Sequence, residues 1–290
     1  MSTQIPKVFM TTKIDSGGLI AVYNALGASP QGRIAAKITT GEPPNSNYLR
    51  AELIQELVSS LGATFVESNT AYPGSRKDNE KHYQVAKDHG FTGYADFDLL
   101  DANGSISIPI AGGEVITENF VGANFPNYDY YVVLSHFKGH QMAGYGGAIK
   151  NISIGIASSE GKMWLHSAGT SKTSFGSGEH DDFLRAMAES AKSIVDYLNG
   201  NILYINVMNR LSIDCDCNGN PAEPDMHDIG ILASMDPVAL DRACVDLVQG
   251  APDSESLLER INSMNGTLTI DHASKIGLGS IEYELVNIDA

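Results

Sequence analysis

Residues 130–151 read YYVVLSHFKGHQMAGYGGAIKN, and this stretch decides the fold class of the chain. Its first five residues are apolar and do not alternate with polar ones, which predicts a strand covered on both faces. The next seventeen residues contain two histidines, two lysines and four glycines. Such residues directly after a buried strand are typical of a ligand site at the edge of an open α/β sheet.

Short apolar runs and helical segments alternate on both sides of this stretch. The repeated alternation predicts an α/β fold with a mostly parallel sheet covered by helices, and a site at the carboxyl ends of the strands. Helices are predicted over residues 46–62, 181–198 and 236–250, and an exposed helix over 75–89. The predicted strands are PKVFM, RIAAKI, ATFVES, SISIPI, GEVITENFVG, YYVVL, NILYINVM, DIGILAS and IEYELVNI.

The predicted elements fall into two lobes, with the site between them. Residues 1–151 form an N-terminal α/β lobe that ends in the glycine, histidine and lysine motif. Residues 152–180 are rich in Gly and Ser and are predicted to be a connecting loop. Residues 181–290 form a C-terminal α/β lobe. The alternative is one continuous domain.

Composition narrows the class of partner. The 290 residues carry a net charge of −16, which argues against nucleic acid or an anionic membrane as the main partner. The N-terminal sequence lacks the pattern of a secretory signal, and no apolar run reaches the length of a membrane span. Three cysteines are too few for a disulfide framework. We therefore expect a cytoplasmic protein with a small-molecule ligand.

Long segments of the chain resemble the domain of unknown function 362 family. The segments are SHFKGHQMAGYGGAIKNISIGIASSEGKMWLHS, INVMNRLSIDCDC and DIGILASMDPVALDRACVDLV, with KITTGEPPNSNY near the start and GLGSIEYELV near the end. The resemblance covers nearly the whole chain. It implies a fold more than a function, because the activity of that family is not established.

A second, more distant resemblance is to the nickel-pincer lactate racemases. Those proteins carry a histidine, then Gly-Tyr, then Gly-Gly and a lysine. A nickel-binding histidine follows the lysine, and His166 lies at that spacing here. This chain matches the racemase pattern both in the order of these residues and in the spacing between them. The matching residues are His140, Gly144-Tyr145, Gly146-Gly147 and Lys150.

This second resemblance implies roles for three residues. Lys150 would attach a pincer-type cofactor covalently, His166 would ligate the metal, and His140 would move the substrate proton. Lysine is a nucleophile once burial lowers its pKa, and imidazole is both a nickel ligand and an acid or base near neutral pH. The glycines Gly144, Gly146 and Gly147 are expected to bring backbone N–H groups close to the cofactor.

The chain departs from the racemase pattern in one respect. The racemases use a second catalytic histidine in their N-terminal half, and here only His82 and His89 lie between residues 70 and 90, in no matching motif. A reaction at one face of a stereocentre, or a different cofactor, is therefore an open alternative. Lys138 and His136 are interpreted as supporting or solvent-facing groups.

Cys215 and Cys217 form a second cluster, Asp214-Cys215-Asp216-Cys217, after another predicted strand. Together with Asp228 these thiolates could hold a divalent metal, although the spacing matches no standard zinc motif. Redox-active thiols and a purely structural turn are the alternatives. An iron–sulfur cluster is not expected, because the chain has no C-x2-C-x2-C-x3-C run. Many members of the resembled family carry a ferredoxin-like domain, which implies a ferredoxin-like partner.

Two functional hypotheses follow. The first is a metal- or pincer-cofactor enzyme, racemase-like or oxidoreductase-like, that acts on a small carboxylate through Lys150, His140 and His166. The second is a non-catalytic carrier of a metal or cofactor, or an electron-transfer accessory, that uses the Cys-x-Cys turn. The first hypothesis requires Lys150, His140 and His166 to converge on one cavity.

Overall fold

The computed structural model describes residues 5–176 and 178–289. The strands are β1 (Lys7–Thr11), β2 (Ile34–Lys37), β3 (Thr64–Glu67), β4 (Phe97–Leu99), β5 (Ser105–Pro109), β6 (Glu118–Gly122), β7 (Tyr130–His136), β8 (Lys138–His140), β9 (Gly144–Gly146), β10 (Ile202–Met208), β11 (Gly230–Ser234) and β12 (Glu284–Asn287). The helices are α1 (Ser16–Ala25), α2 (Ala51–Ser60), α3 (Asn79–Asp88), α4 (Ala148–Ile152), α5 (Ser159–His166), α6 (His180–Tyr197), α7 (Pro237–Gly250), α8 (Glu255–Ser263) and α9 (Leu268–Lys275).

The main sheet has eight strands in the order β12-β1-β11-β10-β7-β2-β3-β4. Strand β11 runs antiparallel to both of its neighbours, and the other neighbouring strands pair in parallel. The mostly parallel α/β fold expected from the sequence is therefore confirmed. Strands from residues 1–151 and from residues 181–290 lie side by side in this sheet, and the division of the chain into lobes stays a prediction.

Helices cover both faces of the sheet. In β7, Val133 packs into one apolar cluster with residues of α6 and α7, while Val132 and Leu134 pack into another with residues of α1 and α2. Strand side chains alternate between the two faces, so a strand in the middle of this sheet must be apolar throughout. This burial explains the uninterrupted apolar run at residues 130–134.

No helix among residues 5–176 and 178–289 is long and apolar enough to cross a membrane.

Three boundaries differ from the sequence predictions. The helix predicted from residue 46 begins at Ala51, because the preceding residue, Arg50, has an extended backbone. Residues 152–180, predicted to be a connecting loop, are not one loop. They contain helix α5, which begins where the side chain of Ser158 accepts a hydrogen bond from the backbone N–H of Gly161. In the segment 113–122, only Glu118–Gly122 is a strand.

The carboxylate of Asp241 in α7 fixes the start of helix α4. Its two oxygens accept hydrogen bonds from the backbone N–H groups of Ala148 (2.8 Å) and Ile149 (3.0 Å), and from the side chain of Asn206 (2.8 Å). Burial raises the pKa of Asp241 to about 6, although these donors act against the rise. This fully buried carboxylate thus sets the position of α4, which carries Lys150.

Replacing Asp241 with alanine tests this attachment. We expect Asp241→Ala to lower the free energy of unfolding by about 3 kcal/mol, because two buried backbone N–H groups lose their acceptor. The matched control is Asp196→Ala, which removes a half-exposed carboxylate paired with Lys192 on the surface of α6 and should cost less than about 0.5 kcal/mol. Urea denaturation measures both, and equal losses in the two variants would contradict the assignment.

Candidate functional site

A single pocket collects the residues that follow the central parallel strands. It lies where β2, β3, β7 and β10 end, which is the usual place for a ligand in an open α/β sheet. The volume of the cavity is about 110 Å³. The ionisable side chains that line it are Glu67, Arg76, His136, Lys138, His140, Lys150, Lys162, His166, Cys215 and Cys217.

Asp216 connects the glycine-rich stretch to the cysteine turn. One carboxylate oxygen accepts a hydrogen bond from His136 Nδ1 at 2.8 Å and the other pairs with Lys138 Nζ at 2.8 Å. Burial alone would raise the pKa of Asp216, but the charges of Lys138 and His136 outweigh it and lower the pKa. Lys138 is thus a buried ion-pair partner of Asp216 and His136 a buried hydrogen-bond partner. Of the two interpretations of these residues, the supporting one agrees with the structure and the solvent-facing one is wrong.

Cys215 and Cys217 lie beside His140. The sulfur atoms and an imidazole nitrogen are within 4.8 Å of one another. A hydrogen bond from the Cys217 thiol holds the pKa of Cys215 well below its usual range, and Lys150 and His140 act in the same direction against the effect of burial. The same hydrogen bond raises the pKa of Cys217. Cys215 is therefore the thiolate of the pair, and it is both a nucleophile and a soft metal ligand.

The two histidines of the pocket carry their hydrogens on different nitrogens. His140 Nδ1 accepts hydrogen bonds from the backbone N–H groups of Met142 (3.1 Å) and Ala143 (2.9 Å). Burial lowers the pKa of His140, so the neutral ring keeps its hydrogen on Nε2 and donates it. His166 Nδ1 instead donates to the carbonyl oxygen of Lys162 at 2.6 Å. Its Nε2 therefore has a lone pair, which is the form that ligates a metal.

Burial lowers the pKa of His166 to about 3. Its ring stacks on Phe183 at a centroid distance of 4.8 Å and meets the edge of Phe175 at 5.0 Å. The aromatic contacts hold the ring in place, and burial keeps the imidazole neutral throughout the physiological pH range. His166 also lines the outer part of the pocket together with the two cysteines.

Lys150 lines the pocket between the cysteine turn and the end of β7. Within the described ranges its ammonium group makes no hydrogen bond or ion pair. Gly146 lies against its side chain, because an added Cβ would be 3.6 Å from Lys150 Cδ. Lys150, His140 and His166 are thus brought to one cavity, as the first hypothesis requires; their chemical roles stay predictions.

Gly144 and Gly147 are fixed by packing. Gly144 has a φ of +77° and lies against Gly266 of the loop between α8 and α9. A Cβ at Gly147 would come within 2.4 Å of Asp241 Oδ1. Close backbone approach is enough to require glycine at both positions. Their part in cofactor binding stays a prediction, and of the predicted glycines Gly146 and Gly147 line the pocket.

Asp228, predicted as a metal ligand, does not line the pocket. Its carboxylate accepts a hydrogen bond from the backbone N–H of Arg210 at 2.6 Å. This contact closes the loop between β10 and β11. The structure therefore brings Cys215 and Cys217 together with His140, with His166 along the same wall, and leaves Asp228 outside.

Several residues of the site were not predicted from the sequence. Glu67 pairs with Arg76 at 2.8 Å and with His82 at 3.0 Å, and all three are buried. Burial alone would raise the pKa of Glu67, but His82 and Arg76 outweigh it and hold the pKa well below its usual range. Lys37 and Glu67 end apolar strands, and a charged residue at the end of a buried strand is the signal that could have found them.

Comparison with known proteins gives a match to one family and distant similarity to several solved structures. A family model described as Domain of unknown function (DUF362) matches residues 34–246. None of the curated proteins matches the sequence. The chain is similar to the lactate racemase apoprotein from Thermoanaerobacterium thermosaccharolyticum, with 13% identity and a TM-score of 0.45 over 69% of this chain and 50% of that chain.

A second structural neighbour is a protein from Thermotoga maritima. It shares 10% identity with a TM-score of 0.44 over 90% of this chain and 58% of that one. The chain therefore spans between half and three fifths of the length of these two neighbours. Likeness at this level supports no conclusion about the chemistry of the pocket.

The thiolate character of Cys215 can be measured directly. We expect Cys217→Ala to raise the pKa of the Cys215 thiol, because the thiolate loses its hydrogen-bond donor. The pH dependence of iodoacetamide alkylation, followed at Cys215 by mass spectrometry, gives that pKa. Cys244→Ala is the control, since Cys244 is buried in helix α7 beside Asn206. An unchanged pH profile in Cys217→Ala would exclude the proposed hydrogen bond.

Proposed function

This chain belongs to the domain of unknown function 362 family, and we propose that it is a metal-dependent enzyme that acts on a small carboxylate, such as a 2-hydroxy acid, by proton and hydride transfer. The observation that supports the proposal most is the convergence of Lys150, His140 and His166 on one buried pocket. The pocket is lined by cationic side chains although the chain as a whole is strongly acidic. A small carboxylate is the kind of ligand that such a lining attracts.

The types of side chain in the pocket are those that a pincer-type cofactor would need. Lys150 offers an amine that no described residue engages, as covalent attachment requires. His166 presents an imidazole whose metal-binding nitrogen is free of hydrogen. Cys215 and Cys217 add soft sulfur ligands that suit nickel. The group, when bound, would supply the hydride acceptor, which protein side chains lack.

The side chains themselves would hold and move the proton. His140 holds a hydrogen at Nε2 and is placed to donate a hydrogen bond to a substrate oxygen. The acceptors that face the same space are the Cys215 thiolate and His166 Nε2. Both would be metal ligands when the group is bound, so His140 is the side chain left to bind and orient the substrate oxygen.

Intact mass and metal analysis of natively expressed protein test this proposal. We expect bound nickel and a covalent adduct whose mass disappears in Lys150→Arg, because arginine keeps the charge but not the amine nucleophile. Lys81→Arg is the matched control, since the Lys81 side chain is 69% exposed and lies outside the pocket lining. A bare polypeptide mass together with no nickel would refute the enzyme proposal.

A second candidate function is favoured by the pair of Cys215 and Cys217. Their sulfur atoms lie within 4.8 Å of each other and would be two soft metal ligands, beside a His140 ring that keeps its hydrogen on Nε2. A metal carrier needs no nucleophilic lysine. We propose this non-catalytic role as the alternative. A ferredoxin-like partner would fit such a role and stays a prediction.

Substitution separates the two candidates. In a carrier, Cys215→Ser/Cys217→Ser should lose stoichiometric metal, because hydroxyl groups are hard and protonated, whereas Lys150→Arg should leave metal content unchanged. Elemental analysis of the two variants beside the wild type provides the measurement. Metal content that survives the double substitution would remove the carrier candidate.

A further inference from the structure

The outer part of the pocket forms a separate, larger space, the outer chamber. Its volume is about 400 Å³, whereas that of the inner cavity is about 110 Å³, and only the outer chamber lies within the range of small-molecule sites. The residues that line both spaces are Tyr72, His140, His166, Phe175, Cys215 and Cys217. The two spaces are therefore continuous, and a ligand held at His140 can extend into the outer chamber.

Apolar side chains from three separate segments line the outer chamber. Tyr72 and Pro73 lie in the loop after β3, and Met142 lies in the turn between β8 and β9. Phe175 lies between α5 and α6, and Met142 and Phe175 are each 38% exposed. Single exposed apolar side chains are common on proteins, but a group of them in one concave space is typical of a binding site.

These apolar side chains are held in place beside the two histidines of the pocket. The hydroxyl oxygen of Tyr72 accepts a hydrogen bond from Arg76 Nη2 at 3.1 Å. The backbone N–H of Met142 donates to His140 Nδ1 at 3.1 Å, and the rings of Phe175 and His166 have centroids 5.0 Å apart. The apolar wall is therefore largely formed before a ligand binds, which lowers the entropic cost of binding.

The two spaces differ in charge. Arg76, Lys138 and Lys162 line the inner cavity, whereas no lysine or arginine of residues 5–176 and 178–289 lines the outer chamber. The carboxylate in the wall of the outer chamber is Glu42, which pairs with Arg76 at 3.1 Å. A second acid group placed in the outer chamber would meet this negative charge without a cation of its own. The acid group of a ligand therefore belongs on the side of the inner cavity, and its apolar part belongs in the outer chamber.

We propose that the outer chamber binds the side chain of a 2-hydroxy acid and favours a bulky aromatic side chain, as in 3-phenyllactate. The inference rests on the proposed function in taking a 2-hydroxy acid as the substrate, and it narrows the substrate class to acids with such a side chain. His140 binds the hydroxyl oxygen through Nε2–H where the two spaces meet, and Met142 and Phe175 contact the aromatic ring. The methyl group of lactate would leave most of the outer chamber filled with water.

Lactate and 3-phenyllactate are a matched pair for the test, because they differ by one phenyl group. Isothermal titration calorimetry on the full natively expressed chain compares these two acids with 2-phenylethanol, which has the ring without the acid group. We expect 3-phenyllactate to bind about 30-fold more tightly than lactate, the size of burying one aromatic side chain. Equal affinity for the two acids would overturn the proposal. Binding of 2-phenylethanol as tight as that of 3-phenyllactate would also overturn it, in favour of an apolar surface unrelated to the acid site.

Two substitutions identify the contacts with the ring. Met142→Ala should weaken 3-phenyllactate binding by about 5-fold and Phe175→Ala by about 10-fold, because each removes apolar surface that the ligand covers. Lactate affinity should change less than about 2-fold in Met142→Ala. Met235→Ala is the matched control and should bind 3-phenyllactate as the wild type does, since Met235 is 46% exposed and lies outside both spaces. Unaltered 3-phenyllactate affinity in both Met142→Ala and Phe175→Ala would refute the assignment.

The same preparation distinguishes this inference from the proposed function. Binding is measured without turnover, and nickel content and intact mass are determined on the same sample. Protein that prefers 3-phenyllactate but carries neither nickel nor an adduct would remove the proposed enzyme and support the outer chamber as a side-chain site. Protein with nickel and an adduct that binds the two acids equally would support the enzyme and overturn this inference.

Discussion

The arrangement of the pocket depends on the buried contacts of the Asp216 carboxylate. It bonds to His136 at the end of β7 and to Lys138 in β8, and so ties the turn after β10 to the strand beside it in the sheet. The flanking residues, Cys215 and Cys217, are thereby held on the pocket wall. Without this buried contact, the negative turn and the positive strand end would each have to be solvated, and the cysteines would lose their position beside His140.

The fold could be predicted from local patterns, whereas much of the site could not. In an α/β chain, the apolar run at 130–134 predicts a strand buried on both faces. The helix cap at Asp236 can be predicted from the sequence and is present in the structure. The partners of His136 and Lys138 lie about 80 residues away, and no periodicity records such a contact. Helix α5 was missed because its Gly and Ser neighbours hide a short apolar face that packs through Trp164 on Phe120.

His82 shows why local polarity was misleading. The segment around it is polar and reads as an exposed helix, yet His82 is completely buried against Glu67. Burying a polar side chain costs little free energy when the side chain forms an ion pair or a hydrogen bond in the folded protein. That partner is supplied by the end of β3. The lysine and histidine positions suggested by motif spacing did converge, because the spacing reflects the backbone path from β8 through α4 to α5.

The pocket and the exterior of the protein differ in charge. The chain as a whole has a net charge of −16, while Lys150 and Lys162 line the pocket. Under the proposed function, a small carboxylate would therefore be attracted to the pocket rather than to the surface. Buried Lys162 makes no ion pair in the described ranges, and an unpaired buried charge weakens the fold. A ligand that neutralises this charge would stabilise the folded state by linkage, so the same lysine would connect the stability of the fold to the binding of its ligand.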